Sequence, residues 1–260
     1  MQFLSALLLS SVLAAAALWR RALTPGGTAL AWALCVAITA LGGGTAFAVL
    51  AVTLLGTVAA DRFAGGRADP LAVRRKSGSR DAARVVCNVG VAACAMGLFG
   101  VTGNAAFRAG FCAVMAESLA DSLASKLGPL AKAQPRDICT GKQVHAGLSG
   151  GVTPLGTLSE LIGAAAVAAV SAAGYNSARL FAVVLAAGFL GAVFDSVLGS
   201  RAQVKLRCRV CGTVTERETH CGEPTLRVSG IGWVTNDAVN LMSNAFSLAA
   251  ALALFAATKC

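Results

Sequence analysis

Short charged or Gly/Pro-containing breaks divide this chain of 260 residues into apolar stretches of roughly 16–24 residues, about the length a helix needs to cross a bilayer. No ordinary soluble domain of this size carries so many. The composition agrees, with 56% apolar and only 13% charged residues. The stretches fall at 2–19, 27–42, 45–60, 85–102, 107–127, 151–173, 178–199 and 236–257. They predict an all-α, polytopic membrane bundle of about eight transmembrane helices, with seven as the alternative count. The bundle forms one integral membrane domain over residues 1–260, with a Cys/His-containing loop at 201–230.

The least defined boundary is Gly42-Gly43-Gly44. Read as a tight turn, it separates two short spans. The alternative, one helix of about 33 residues, would need an implausible tilt.

Charge gives a second measure of topology. With the N-terminus outside, Arg20-Arg21 and the loops 62–84, 126–142 and 201–227 share one face and hold 19 of the 22 Lys and Arg residues. Short basic loops stay on the cytosolic side or its equivalent, so both termini are expected on the opposite side. The first span lacks a basic leader and is followed by Arg20-Arg21, the charge order of an uncleaved span rather than a signal peptide. The net charge of +10 is accounted for by these loops, and membrane lipids rather than nucleic acid are the expected partners. The basic face would also concentrate an anionic substrate.

Four acids stand out against this background: Glu117 and Asp121 in one span, Asp195 in another and Asp237 at the start of the last. A carboxylate at bilayer depth costs about 2.5–3.5 kcal/mol on insertion scales, so such groups face a polar interior and mark function. Glu117 and Asp121 are one helical turn apart, with Ser118, Ser122 and Ser125 nearby. Two carboxylates and hydroxyls in that pattern suit Mg²⁺, which takes oxygen ligands and leaves waters for phosphate to displace. The alternative is that one of them pairs with Lys126 or a loop Arg. Next come Thr140-Gly141-Lys142 and Gly147-Leu148-Ser149-Gly150-Gly151, directly before a span. Small residues at a helix N-terminus let backbone N–H groups approach a phosphate, and Lys142 would balance its charge. Plain turn chemistry is the alternative.

Asn236, Asp237 and Asn240 open the last span; Asn and Asp are also good N-caps, the simpler reading. At the end of the first basic loop Arg80 and Arg84 would offer forked donors to phosphate oxygens, while Ser79 and Asp81 suit a helix start. Every one of these motifs is expected on the same face, which calls for helices packed around one cleft.

Cys208, Cys211, His220 and Cys221 cluster in the 201–230 loop. Their types and the Cys-x-x-Cys spacing resemble a zinc knuckle, which would fold a loop with no core of its own. Free thiols are the alternative, and His220 and Cys221, being adjacent, are expected to diverge. The other cysteines are scattered, mostly in apolar helices, where Cys behaves as a small hydrophobe.

Five runs together resemble the transmembrane protein 19 family: Gly78-Ser79-Arg80-Asp81-Ala82 with Asn88, Ala120-Asp121-Ser122 with Gly128, Pro135-Arg136 through Gly147-x-Ser149-Gly150-Gly151-Val152, Asp195-Ser196-x-Leu198-Gly199 with Gln203, and Asn236-Asp237-Ala238-Val239-Asn240. The resemblance covers the chain from about Ser77 onward. That family includes a plastid phytyl-phosphate kinase, so it implies a membrane phosphotransferase that moves a nucleotide γ-phosphate, from CTP or ATP, to a prenyl monophosphate. Asp121, Asp195, Lys142 and Arg80 would be catalytic. Ser149, Gly150, Gly151, Arg84, Asn236 and Asn240 would hold phosphate. Glu117, Asp121, Asp195 and Asp237 would hold Mg²⁺. One position departs, because Lys126 stands where the family tends to have Glu. A transporter for an ion or small anion, and a non-catalytic scaffold, are the competing classes.

Overall fold

Among the described residues the apolar stretches become seven α-helices: α1 (Gln2–Trp19), α2 (Pro25–Gly65), α3 (Ala82–Thr102), α4 (Ala105–Leu127), α5 (Pro154–Gly174), α6 (Ala178–Arg201) and α7 (Asn236–Ala257). The computed structural model describes residues 2–19, 23–65 and 81–258. The Arg20-Arg21 pair and the predicted Ser79 and Arg80 lie outside the described residues. Among the described helices, α2, α3, α5, α6 and α7 are long and apolar enough to cross a membrane.

α2 is two helices in practice. Gly43 sits at φ 71°, ψ −164°, outside helical space, a conformation that glycine tolerates. Ala31 and Cys35 before it and Thr53 and Thr57 after it line the same cavity. In one continuous helix Ala31 and Thr57 would be about 39 Å apart, so the chain reverses here as the triple glycine predicted.

Local capping sets the other boundaries. Asp81 is the N-cap of α3, its Oδ1 accepting from the Arg84 N–H at 3.0 Å. α3 therefore starts at Ala82 rather than at the predicted 85, and Gly103, left-handed at φ 67°, ends it. α5 starts three residues later than predicted. Gly151-Val152 form a short strand, β2 (Gly151–Val152), that pairs antiparallel with β1 (Arg136–Asp137), and Thr153 caps the helix ahead of Pro154. α7 is capped by Thr235, so the capping role considered for Asn236 and Asp237 falls to the residue before them.

α4 is the axis of the bundle. Residues 109–117 are all buried, and α2, α3, α5, α6 and α7 all pack on it. Glycines permit the approach. A Cβ on Gly163 of α5 would lie 2.8 Å from the Ala120 backbone, and one on Gly188 of α6 would lie 2.5 Å from the Ala116 Cβ. Close backbone contact of this kind is how helices associate in lipid, where apolar burial alone gives little drive.

The 201–230 segment carries more structure than a loop. β3 (Lys205–Arg207) pairs antiparallel with β4 (Val214–Thr215) and β7 (Leu226–Ser229), and β5 (Thr219–His220) forms a hairpin with β6 (Glu223–Pro224).

Candidate functional site: acids and a glycine loop at one end of the bundle

The acid-bearing spans converge. Glu117, 2% exposed, accepts a hydrogen bond from the Ser243 hydroxyl of α7 at 2.7 Å, and the same oxygen lies 3.2 Å from Asp195 Oδ2 of α6. A serine hydroxyl has one hydrogen to give, so two carboxylates flank one donor. A Cβ on Gly191 would lie 2.8 Å from Glu117 Cγ, which shows how tightly α6 seats this group. Asn244, also buried, donates to Cys87 O at 3.0 Å, while its Oδ1 accepts from Ser118 at 3.3 Å. These bonds register α7 against α3 and α4.

Two adjoining cavities open beside this network. The smaller, about 70 Å³, is lined by Asp121 of α4, Glu160 of α5, Asp195 and Ser196 of α6, Asn236 of α7 and the 147–153 loop. The larger, about 290 Å³, is lined by Arg84, Asn88, Ser122, Lys126, Gln203, Glu216, Asp237 and Asn240, and shares Asp121, Ser125 and Asn236 with the first. The ends of α3 to α7 thus meet around one cleft.

The glycine loop forms one wall. Gly147 and Gly150 take φ of 84° and 83°, in the region L side chains avoid. At Gly150 a Cβ would also lie 2.5 Å from Ser200 Cα, so the loop lies flat on the end of α6. Asp137 staples it: Oδ1 accepts from the N–H groups of Cys139 and Thr140 and from the Thr140 hydroxyl, and Oδ2 accepts from Ser200 at 2.8 Å. Burial opposes ionisation of Asp137, but these donors outweigh it and hold the carboxyl below its ordinary value. Thr153 completes the frame, donating to Gly128 O at 3.1 Å while accepting from Gly156 N–H at 3.0 Å.

The remaining predicted residues divide. Ser149, Gly150 and Gly151 line the smaller cavity. Arg84 faces Asp237 at 3.6 Å in the wall of the larger one, where Asn236 and Asn240 also sit, with Asn240 donating to Asn88 Oδ1 at 3.1 Å. Asp237 stands with Arg84, apart from the Glu117–Asp195 pair. Lys142 is exposed beside β1 and is absent from the lining of both cavities. Lys126 forms an ion pair with Asp61 of α2.

Three acids lining the site were not anticipated, one of them Glu218 in the wall of the larger cavity. Glu160, 5% exposed, lines the smaller cavity; it is a carboxylate inside a predicted span, so the signal that marked Asp195 marks it equally. Glu216, just after β4, accepts the Ser149 N–H at 2.8 Å. It places an anion on the loop amide where a phosphate was expected, and its separation of 67 residues from Ser149 leaves no trace in sequence.

Cys208, Cys211, His220 and Cys221 have ligand atoms all within 4.8 Å of one another. His220 Nδ1 lies 3.5 Å from Cys211 Sγ and 3.2 Å from Cys221 Sγ. Zinc–sulfur bonds of about 2.3 Å put tetrahedral ligands about 3.8 Å apart, so this group could hold a metal ion such as zinc. The adjacent His220 and Cys221 converge rather than diverge, because Cys221 takes φ 52° ahead of Gly222 at φ 81°.

Comparison with known proteins places this architecture. No solved structure matches the chain. Over 135 residues it is 33% identical to Protein PGR of Arabidopsis thaliana, covering 47% of this chain and 46% of that protein, so the match spans about half of that relative's length. The family described as "Integral membrane protein DUF92" matches residues 8–248, extending the resemblance upstream of Ser77 to the first helices. The chain is a multi-pass integral membrane protein and belongs to the DUF92 family, the transmembrane protein 19 family that its five motifs resemble.

Proposed function

We propose that this protein is a membrane-embedded, Mg²⁺-dependent phosphotransferase that moves the γ-phosphoryl group of a nucleoside triphosphate, CTP or ATP, onto a prenyl monophosphate. One observation carries the reading: carboxylates from three helices, Asp121, Glu160 and Asp195, share a cavity with a glycine-rich loop at the N-terminus of α5. Carboxylates alone would repel a phosphate, and a loop of amides alone would not need acids; a cation between them reconciles the two.

The donor set fits Mg²⁺. It is all oxygen, it combines carboxylates with the Ser125 and Ser196 hydroxyls, and the nearby Glu117 is buried, where an ionised carboxylate demands a counter-charge. Bound there, the ion would neutralise charge on the phosphate oxygens. Asp121, Glu160 and Asp195 would hold it. The amides of the 147–153 loop and the N-terminus of α5 would bind the transferring group. Arg84, Asn88, Asn236 and Asn240 line the larger cavity, where they would orient the second phosphate.

The reaction needs no general base. An acceptor phosphate oxygen bonds to the γ-phosphorus, the bond to the β–γ bridging oxygen breaks, and the nucleoside diphosphate leaves with that electron pair. The acceptor is already anionic, so no proton moves and positioning with charge stabilisation does the work. The concentration of Lys and Arg in the loops at this end supports a cytosolic or equivalent orientation for the cleft.

The test is product formation by the purified protein with phytyl, geranylgeranyl or farnesyl monophosphate, CTP or ATP, and Mg²⁺. Prenyl diphosphate is expected, and kcat should fall about 10²–10³-fold in Asp121→Asn and Asp195→Asn. No diphosphate with any pair, or full activity in both variants, contradicts the proposal. Counterflow of phosphate in proteoliposomes without product would point to a carrier instead.

A further inference from the structure

A third cavity, of about 170 Å³, lies between the α1–α2 pair and the α3–α4 pair. Most of its wall is apolar: Leu13 and Ala14 of α1, Cys35 and Leu50 of α2, Val89 of α3 and Met115 of α4. Thr53 lines it too, but its hydroxyl is spent on Val49 O at 2.9 Å. Besides Thr53, Ser10 of α1 and Thr57 of α2, its polar residues are Asn88, Ser118 and Ser122, gathered at a polar end where the Ser118 hydroxyl lies 3.4 Å from Asn88 O. Asn88 and Ser122 also line the larger polar cavity that holds Arg84, Lys126 and Asp121. The apolar crevice and the polar cleft therefore share a wall.

α1 forms one wall of the crevice through Leu13, Ala14 and Ala17. α1 packs chiefly on α2 and is pinned there by the Trp32 indole donating to Ser11 at 3.0 Å, so its contact with the rest of the bundle is the crevice itself.

We propose that this crevice is the subsite for the single hydrocarbon chain of the lipid monophosphate, threaded between α1–α2 and α3–α4 with its phosphate at Asn88 and Ser122. The inference rests on the phosphotransferase reading for what happens to the head group, but not for where the chain lies. The occupant is the substrate's own chain rather than a bilayer phospholipid, because the polar end opens onto a cleft lined by Arg84 and the acids. A chain moving from lipid into this crevice exchanges one apolar surrounding for another, so it gains little affinity. What the crevice supplies is register and selection by length, since a chain too long for its volume pulls its phosphate out of place.

The experiment uses the full-length protein in lipid nanodiscs with a farnesyl monophosphate analogue that carries a photoreactive diazirine at its far end. Illumination should attach it to crevice residues such as Ala14, Cys35 or Met115, and excess unlabelled farnesyl monophosphate should suppress the attachment about tenfold, as for one specific site. Attachment only to outward-facing positions such as Val101 and Leu158, which are 88% and 53% exposed, overturns the proposal. In parallel, Cys35→Trp should shift the preferred chain to a shorter one by about tenfold in the ratio of affinities, while pyrophosphate binding is unchanged; an unaltered chain preference also contradicts it. Crevice labelling without diphosphate formation would sink the phosphotransferase reading and leave this one standing. Diphosphate formation without crevice labelling would do the reverse.

Discussion

The carboxylate cleft and the Cys/His cluster each gather ligand-type residues, yet they are built on opposite principles. Glu117, Asp121, Glu160 and Asp195 are hard oxygen donors carried by three packed helices, and glycines such as Gly163 and Gly188 lock those helices together. Their geometry exists before any ligand arrives. The soft donors Cys208, Cys211 and Cys221 stand in the connections, and His220 on β5, of a small sheet whose strands are only two to four residues long; of the four, Cys208 is buried. This group could hold a metal ion such as zinc, on which so short a segment would depend for its fold. On the proposed reading the bundle prepares a site for chemistry, whereas the small sheet would use a metal to make structure.

The two regions touch where Glu216 accepts the Ser149 N–H. The largest effect that would break the comparison comes from stripping the metal. Chelation, or Cys211→Ser, should open residues 205–229 to protease while the helical circular dichroism of the bundle stays within about a tenth of wild type. Metal analysis should find close to one zinc per chain, and a content near zero would remove the cluster from the account. Loss of helix along with the metal would show that the bundle is not preorganised on its own.

Glu216→Ala sharpens the contact between them. A carboxylate on the loop amide competes with an incoming phosphate, and one hydrogen bond is worth about 0.5–1.5 kcal/mol. Removing it should lower the KM for the phosphate substrate roughly two- to tenfold at unchanged kcat. A rise in KM would instead make Glu216 a substrate contact.

The smallest effect concerns Asp137. Its donors hold the carboxyl below the ordinary value, so it contributes stability that is present above about pH 3.9 and lost as pH falls through the lower native value. Asp137→Asn should cost about 1–2 kcal/mol at neutral pH, and the gap from wild type should narrow in acid. Thermal unfolding at two pH values reads this directly, and an equal gap at both would contradict it.

Much of the bundle was legible in sequence because a bilayer imposes one length and one polarity on every span. The reversal at Gly43 and the placement of α6 and α7 follow from that constraint alone. Boundaries moved by a few residues with the caps: Asp81 caps α3, and Thr235 rather than Asn236 caps α7. Within the site, Asp121 and Asp195 were marked by being acidic in apolar surroundings, Ser149 by the glycine-rich run ahead of a span, and Asn240 by the Asn/Asp run that opens the last one. Glu160 carried the same mark as the two acids. The contacts Glu216 to Ser149 and Lys126 to Asp61 join residues far apart in sequence, and no local pattern encodes them. Lys126, where the family tends to have Glu, has its charge answered by α2. The convergence of His220 and Cys221 depends on a left-handed Cys221, for which the following Gly222 was the sole hint.

Glu160 gives the most direct test, because its place in the account comes from the geometry of the cleft. The measurement is transfer of radiolabelled γ-phosphate to geranylgeranyl monophosphate across a Mg²⁺ titration, for wild type and Glu160→Gln. If Asp121, Glu160, Asp195 and the 147–153 loop form one phosphoryl-transfer site, wild type makes labelled diphosphate only with Mg²⁺, and the variant loses about 10²-fold in kcat or shifts the Mg²⁺ requirement upward. Transfer by Glu160→Gln at the wild-type rate and Mg²⁺ dependence, or no transfer by wild type, would contradict the account.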